Sequence, residues 1–310
     1  MEPDTQRNQE IERVAMDREL GLLIQLLDDP DPEIASIIEE RIVSRGPSAM
    51  ESLLDFADLT SDDHAQQRAR DIASRLNVEL LAADFERLKV RLQQGKRFTL
   101  EDGAFLIARY GNPRLNVENC RFELSAFAGM LRERIAGVHS PFDILTLTNH
   151  FFFEELKFRG NQNTFLDPEN SYISSVLDRR VGIPISLAVI VLLVARTRLN
   201  LPFSGVATPA HFMLRFDGTD DPIFIDAFNG GLLFKANDIE RFLKAGGLSF
   251  TPKFLEPATT TTILLRMMRN LIMVFAKSNE PKARIAFERF THILSPELID
   301  GDVFMGGLDI

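Results

Sequence analysis

The sequence predicts an α+β chain with a mostly helical N-terminal region, a small antiparallel sheet and a closing helical pair. Three observations carry that expectation. Apolar residues recur at helical spacing through the first half, at Leu22, Leu23, Leu26 and Leu27 and again at Ile34, Ile37, Ile38 and Ile42. After residue 200, three short β-prone runs follow one another: Phe203–Val206, Phe212–Phe216 and Ile223–Ile225, separated by Thr-Pro and Gly-Thr-Asp-Asp-Pro turns. From Thr260 to Leu294 helical spacing returns, in one stripe through Leu264, Met267, Met268, Leu271 and Phe275 and another through Ala283, Ala286, Phe287 and Phe290.

The first helix is expected to stop at Asp28-Asp29-Pro30-Asp31-Pro32, and the second at Gly46, where Pro47 suits the first position of the next helix. Asp28, Ala35, Ile42, Ser44 and Arg45 recur 30 residues later as Asp58, Ala65, Ile72, Ser74 and Arg75. Residues 1–95 therefore look like a HEAT-like pair of helical units or an ordinary helical subdomain. A helical lead-in follows over 96–157, with breaks at Gly95, Gly111-Asn112-Pro113 and Ser140-Pro141. Thr99 with Asp102 reads as a helix start, and Phe142–Leu156 presents one apolar face to the core. Pro184 opens a helix to about Leu199 that is apolar all round, as a helix buried in a domain must be. The helical pair in residues 256–310 resembles a single tetratricopeptide-type unit that packs on the core, since an array needs several repeats.

Composition narrows the partners. The 310 residues carry 35 Lys and Arg against 45 Asp and Glu, a net charge of −10, without a basic run; neither nucleic acid nor an anionic membrane suits such a surface. The 25 Phe against 2 Tyr and no Trp favour apolar packing over amphipathic binding anchors. Cys120 is the only cysteine, so an internal disulfide and a thiolate metal cluster are excluded; its setting in Asn119-Cys120-Arg121-Phe122 reads as a structural thiol on an amphipathic helix. His64, His139, His150, His211 and His292 show no paired ligand spacing, and no phosphate-binding glycine motif is present, so neither metal nor cofactor is expected. The polar start Met1-Glu2-Pro3-Asp4 and the longest apolar run, Val181–Ala195, point to a cytoplasmic protein that does not span a membrane.

Three residues stand where chemistry needs them. Ser186 is the polar side chain at the start of the buried helix, where free amides and the helix dipole favour negative charge; the alternative is a serine that caps or back-bonds its own first turn. His211 heads a β-prone alternation, as a general base or as a hydrogen-bonded core residue. Asp226 follows an apolar strand, either orienting the imidazole or opening the Asn229-Gly230-Gly231 turn. In order they fit nucleophile, base and orienting acid.

The motifs Arg180-Val181-Gly182-Ile183-Pro184-Ile185-Ser186-Leu187-Ala188, Pro209-Ala210-His211-Phe212 and Phe224-Ile225-Asp226-Ala227-Phe228-Asn229-Gly230-Gly231 resemble the SirB-type branch of the transglutaminase-like superfamily. So do Phe153-Glu154-Glu155-Leu156-Lys157-Phe158-Arg159-Gly160-Asn161 and Asp167-Pro168-Glu169-Asn170-Ser171-Tyr172. The resemblance covers roughly residues 98–295. It implies a papain-like α+β core, here over residues 158–255 of a domain spanning 96–255. It implies that Ser186, or Ile185 one residue earlier, occupies the site of the superfamily's catalytic Cys, with His211 and Asp226 at those of its His and Asp. The loop from Arg159 and Asn161 to Asn170 and Tyr172 then lies near the cleft. Asn170 is expected to cap the next helix, Arg179 and Arg180 to reach an acidic ligand or simply end that helix, and Asn229 to flank the cleft. Serine carries almost no anion at neutral pH, so the replacement of cysteine predicts a non-catalytic or weakly active module that binds a protein or peptide. A hydrolase or acyltransferase running on Ser186, His211 and Asp226 is the alternative.

Overall fold

A computed structural model of the chain describes residues 18–27, 31–94, 99–209 and 211–296. The Asp28-Asp29-Pro30 turn, the Gly95 break, Ala210 and both ends of the sequence lie outside them. The chain divides into two compact units, residues 1–84 and 85–310.

In the first unit, α1 (Pro32–Val43) is capped by Asp31, whose carboxylate accepts the Glu33 amide, and has proline in its first turn. Proline likewise opens α2 (Pro47–Leu59), after Gly46 at a φ of 64° that a side chain disfavours. Next, α3 (Asp63–Gln93) starts where Asp62 accepts the amides of His64 and Ala65. Leu20, Leu27, Ile38, Ile42, Leu53, Ile72 and Leu76 close this unit's core. Of the four isoleucines on α1 only Ile38 and Ile42 are buried; Ile34 and Ile37 face water, because this short helix buries a narrow stripe. Ala35 and Ala65, and Ile42 and Ile72, are buried as pairs at the 30-residue offset.

The second unit takes in the end of α3 from Phe85 and continues with capped helices. Thr99 and Asp102 form a reciprocal capping box at the start of α4 (Leu100–Gly111), Asn116 caps α5 (Val117–Ile135) and Ser140 caps α6 (Pro141–His150). A π-helical turn, Phe151–Glu155, extends α6, with the Leu156 amide reaching back five residues to the Phe151 carbonyl. That wider turn buries three consecutive phenylalanines, Phe151, Phe152 and Phe153, whereas Phe142 at the other end is exposed. The buried carboxylate of Glu101 ties this region together, bridging Arg121 at 2.9 Å and Arg198 at 2.7 Å.

A two-residue parallel pair, β1 (Arg159–Gly160) and β2 (Val181–Gly182), brackets the short helix α7 (Ile173–Arg179). Then α8 (Pro184–Val191), continued by a second π turn Leu192–Arg196, is buried on every face. The antiparallel sheet has the order β3 (Phe203–Thr208), β4 (His211–Phe216), β5 (Ile223–Asp226), β6 (Leu232–Phe234). Period-two alternation divides its residues. Phe212 and Leu214 share the Gly205 face, which meets Leu192 beyond α8; a methyl on Gly205 would lie 2.4 Å from the Phe212 ring. Val206, Met213 and Phe224 lie on the other face, packed against Ile239 and Leu243 of α9 (Ala236–Ala245). The last two helices, α10 (Thr260–Lys277) and α11 (Pro281–Leu294), pack together and bury the predicted stripes, with Tyr110 of α4 4.7 Å from Phe287. Arg266 of α10 donates to the Thr208 carbonyl at 2.8 Å, fixing the end of β3.

Candidate functional site

His211 is the first residue of β4 and Asp226 the last of β5, on the face turned to α9. Strand alternation puts Thr208, His211, Asp226 and Leu232 side by side: Thr208 is opposite His211 and Leu232 opposite Asp226 in the register. His211 Nε2 lies 2.9 Å from Asp226 Oδ1. The same oxygen accepts the amides of Phe228 (3.0 Å) and Asn229 (3.2 Å), while Oδ2 accepts Asn229 Nδ2 at 2.7 Å. Asp226 thus both touches the imidazole and opens the turn. Gly230 and Gly231 complete that turn at φ values of 68° and 78°.

Burial pushes the Asp226 carboxyl up, but the hydrogen bond and charge of His211, with the donations from Asn229, outweigh it and hold the group below its ordinary value. The pair borders an open cavity of about 180 Å³. Thr208, His211, Asp226 and Asn229 form its polar end, and Met213, Leu232, Phe234, Ile239, Phe242 and Leu243 its apolar walls.

Ser186 is placed differently. It sits in the first turn of α8 with no exposed surface. Its hydroxyl accepts the Ile183 amide at 3.0 Å and donates to the Asn170 carbonyl at 2.6 Å. Gly182 makes room for it, since a methyl there would stand 2.6 Å from the hydroxyl oxygen. Ser186 is not among the residues lining the cavity, and neighbouring Ile185 is also wholly buried.

The other loop positions form a scaffold beneath Ser186. Asn170, fully buried, accepts from Asn161 Nδ2 (2.9 Å) and Arg179 (3.2 Å) and donates to the Thr164 carbonyl (2.7 Å). Contrary to the expectation from sequence, it does not cap α7, because the 3₁₀ turn Pro168–Asn170 precedes that helix and Tyr172 holds the cap position. Tyr172 is buried, and burial pushes its phenol up well above the ordinary value. Arg180 pairs with Glu123 at 2.7 Å and lies over the rings of Phe127 and Phe158 at 4.9 and 5.0 Å. Arg179 is held by Asp167 at 3.0 Å. Arg159 is exposed, and its amide donates to the Arg180 carbonyl in the β1–β2 pair.

Of the residues proposed from sequence, the structure gathers His211, Asp226 and Asn229 at the cavity, and gathers Ser186, Asn161 and Asn170 in a separate buried network. The sequence reading missed the apolar walls. The signal was present in α9, where Ile239 and Leu243 are four residues apart behind Asp238, which accepts the Lys235 amide at 2.8 Å. Burial raises the Cys120 thiol, with Asp178 and Glu123 adding to it, as suits an unreactive side chain. Among the described residues no cluster of three His, Cys, Asp or Glu is placed to hold a metal ion, and no helix is long and apolar enough to cross a membrane.

Residues 118–269 match the family model of the transglutaminase-like superfamily. A UPF0162 protein of Xylella fastidiosa strain 9a5c is 35% identical over 182 residues, 57% of this chain and 64% of that protein. One from Vibrio cholerae is 28% identical over 176 residues, 54% of this chain and 63% of that protein. F-box only protein 21 of Mus musculus is 28% identical over 216 residues, 60% of this chain and 34% of that protein. The chain therefore spans less than two thirds of the length of each of these relatives. No solved structure matches it significantly. The region from α5 into α10, which contains the His211–Asp226 pair and its cavity, is accordingly a transglutaminase-like superfamily domain with homologues among the UPF0162 proteins.

Proposed function

We infer that the transglutaminase-like domain is a non-catalytic or weakly active module that binds a protein or peptide in the His211–Asp226 cleft. The observation that supports this most is the state of Ser186, the position that sequence resemblance equates with the nucleophile. Its hydroxyl proton is committed to the Asn170 carbonyl and its lone pair to the Ile183 amide, out of reach of solvent. Attack on a carbonyl requires a hydroxyl that a base can deprotonate and a substrate can approach within about 3–3.5 Å. In this reading the protein is of the SirB type and works in the cytoplasm, with its HEAT-like and tetratricopeptide-like helices as further binding surfaces. The test is labelling by a fluorophosphonate probe together with hydrolysis of p-nitrophenyl acetate. Neither should exceed that of Ser186→Ala, and robust turnover that disappears in Ser186→Ala would sink the reading.

The second reading, a hydrolase or acyltransferase on Ser186, His211 and Asp226, draws support from the His211–Asp226 contact at 2.9 Å beside an open cavity. It requires α8's first turn to release Ser186. Probe attachment at Ser186, lost in His211→Ala, would establish it.

A further inference from the structure

The hairpin that carries His211 is held from behind the sheet. β3 ends at Thr208 and β4 begins at His211; the two are opposite each other in the register, and the Thr208 hydroxyl donates to the His211 carbonyl. Whatever fixes Thr208 therefore fixes the start of β4. The outer side of β3 is occupied as far as Val206, by a bridge from Val206 to Pro257 and by the Ala258 amide on the Gly205 carbonyl at 2.7 Å. Beyond that point Thr208 is buried, and its carbonyl accepts the Arg266 guanidinium of α10 at 2.8 Å.

Arg266 is itself buried, with 8% of its surface exposed, and its guanidinium lies 5.9 Å from the centre of the Phe212 ring. Phe212 directly follows His211, and strand alternation puts its ring on the opposite face. Arg266 is not among the residues that line the cavity. It therefore meets the hairpin on the side away from the cavity, at the last carbonyl of β3 and over the second side chain of β4. Taking a guanidinium out of water is costly, and a buried charge is a weak source of stability. What its planar, directional donors provide is geometry. His211 depends on such geometry: its Nε2 stands 2.9 Å from Asp226 Oδ1 on the neighbouring strand, and a small slip of the hairpin would open that contact.

We propose that Arg266 is the positioning residue for His211: by holding the Thr208 carbonyl from behind the sheet, it sets the hairpin that keeps the His211 imidazole against Asp226 at the cavity. This inference rests on the reading of the His211–Asp226 cleft as the working site. Its test reads His211 itself, whereas that reading is scored by turnover through Ser186, so each can fail without the other.

The test treats the full chain with diethyl pyrocarbonate at neutral pH and follows each histidine by mass spectrometry. His64, His139, His150 and His292 are exposed and serve as internal references for the half-buried His211. In Arg266→Met the His211 rate should rise about fivefold against those references, as the loss of one hydrogen bond implies. Arg266→Lys, which keeps a donor and the charge, should restore most of the protection. Leu271→Ala, which empties part of the core further along α10, should lower the melting temperature and leave the His211 rate unchanged. A second readout is the Asp226 carboxyl, which burial raises but His211 helps to hold low; followed by carbon NMR, it should titrate higher in Arg266→Met. Should Arg266→Met not fold, Arg266→Gln, too short to reach the Thr208 carbonyl, takes its place with the same expectations. Unchanged His211 reactivity in the Arg266 variant, or an equal rise in Leu271→Ala, overturns the proposal.

Discussion

The two ends of the inferred triad behave as opposites. At Ser186 a small hydroxyl is enclosed completely, and its donor and acceptor are spent on the backbone of two converging segments. At His211 and Asp226, side chains of greater intrinsic reactivity sit at strand ends beside open space. Enclosure at a helix start leaves the Ser186 hydroxyl with backbone partners, whereas a place at a sheet margin leaves an imidazole and a carboxylate beside open space. The loop 161–170 belongs with the clamp, since Asn161 and Asn170 hold it against the same helix start.

The most demanding test of this contrast is Ser186→Ala. It takes one hydrogen bond from the buried Ile183 amide and one from the buried Asn170 carbonyl, which then keep only their mutual contact at 3.3 Å; a net buried hydrogen bond contributes about 0.5–1.5 kcal/mol. A loss of about 2 kcal/mol is expected, read as a fall in melting temperature of roughly 4–8 °C for a unit of this size. Ser186→Cys complements it: the thiol should remain unreactive toward a disulfide reagent in the native state, and rapid reaction would break the contrast.

Gly231→Ala strikes behind the other end. Its φ of 78° disfavours a side chain, and a methyl would lie 2.2 Å from Asn149 Oδ1 and 2.5 Å from the Phe153 ring. About 2 kcal/mol of stability should go, measured by chemical denaturation. An unchanged midpoint would show that the turn behind Asp226 relaxes freely.

Asp226→Asn should cost about 1–2 kcal/mol at neutral pH, because the carboxylate's acceptance of the Phe228 and Asn229 amides and of the Asn229 side chain is weakened and its contact with His211 changes. The folded carboxyl titrates below the ordinary value of 3.8, so the native state favours the ionised form. That contribution is present in full above the unfolded value and is lost as pH falls through the folded one. The stability gap between wild type and Asp226→Asn should therefore hold steady above about pH 5 and narrow below 3.8. A gap that widened in acid would reverse the assignment.

The smallest effect is expected at the cavity rim. Leu232→Lys and Phe242→Asp should change stability by no more than about 0.5 kcal/mol, because both side chains already face water. A larger loss by thermal denaturation would assign these side chains to the core instead of to a binding surface.

Much of this arrangement was legible in the sequence, and for local reasons. Thr99 with Asp102, Pro47, and the stripe from Leu264 to Phe275 mark structure through interactions three or four residues apart, so they survive as patterns in one dimension. The β-runs beginning at residues 203, 212 and 223 were visible by alternation, and the order of Ser186, His211 and Asp226 by motif. What the sequence did not disclose depends on distant partners. The three-residue strand β6 exists because Asp226 and the Gly230-Gly231 turn return the chain onto β5, and β1 pairs with β2 across twenty intervening residues. The two π turns rest on which apolar side chains must be buried together. Above all, a serine at a helix start reads the same whether it faces a cleft or a neighbouring carbonyl. Only tertiary packing brought the Asn170 carbonyl to within 2.6 Å of Ser186 and left His211 beside the cavity, because the cost of a buried, unpaired hydroxyl is decided by what the rest of the chain brings next to it.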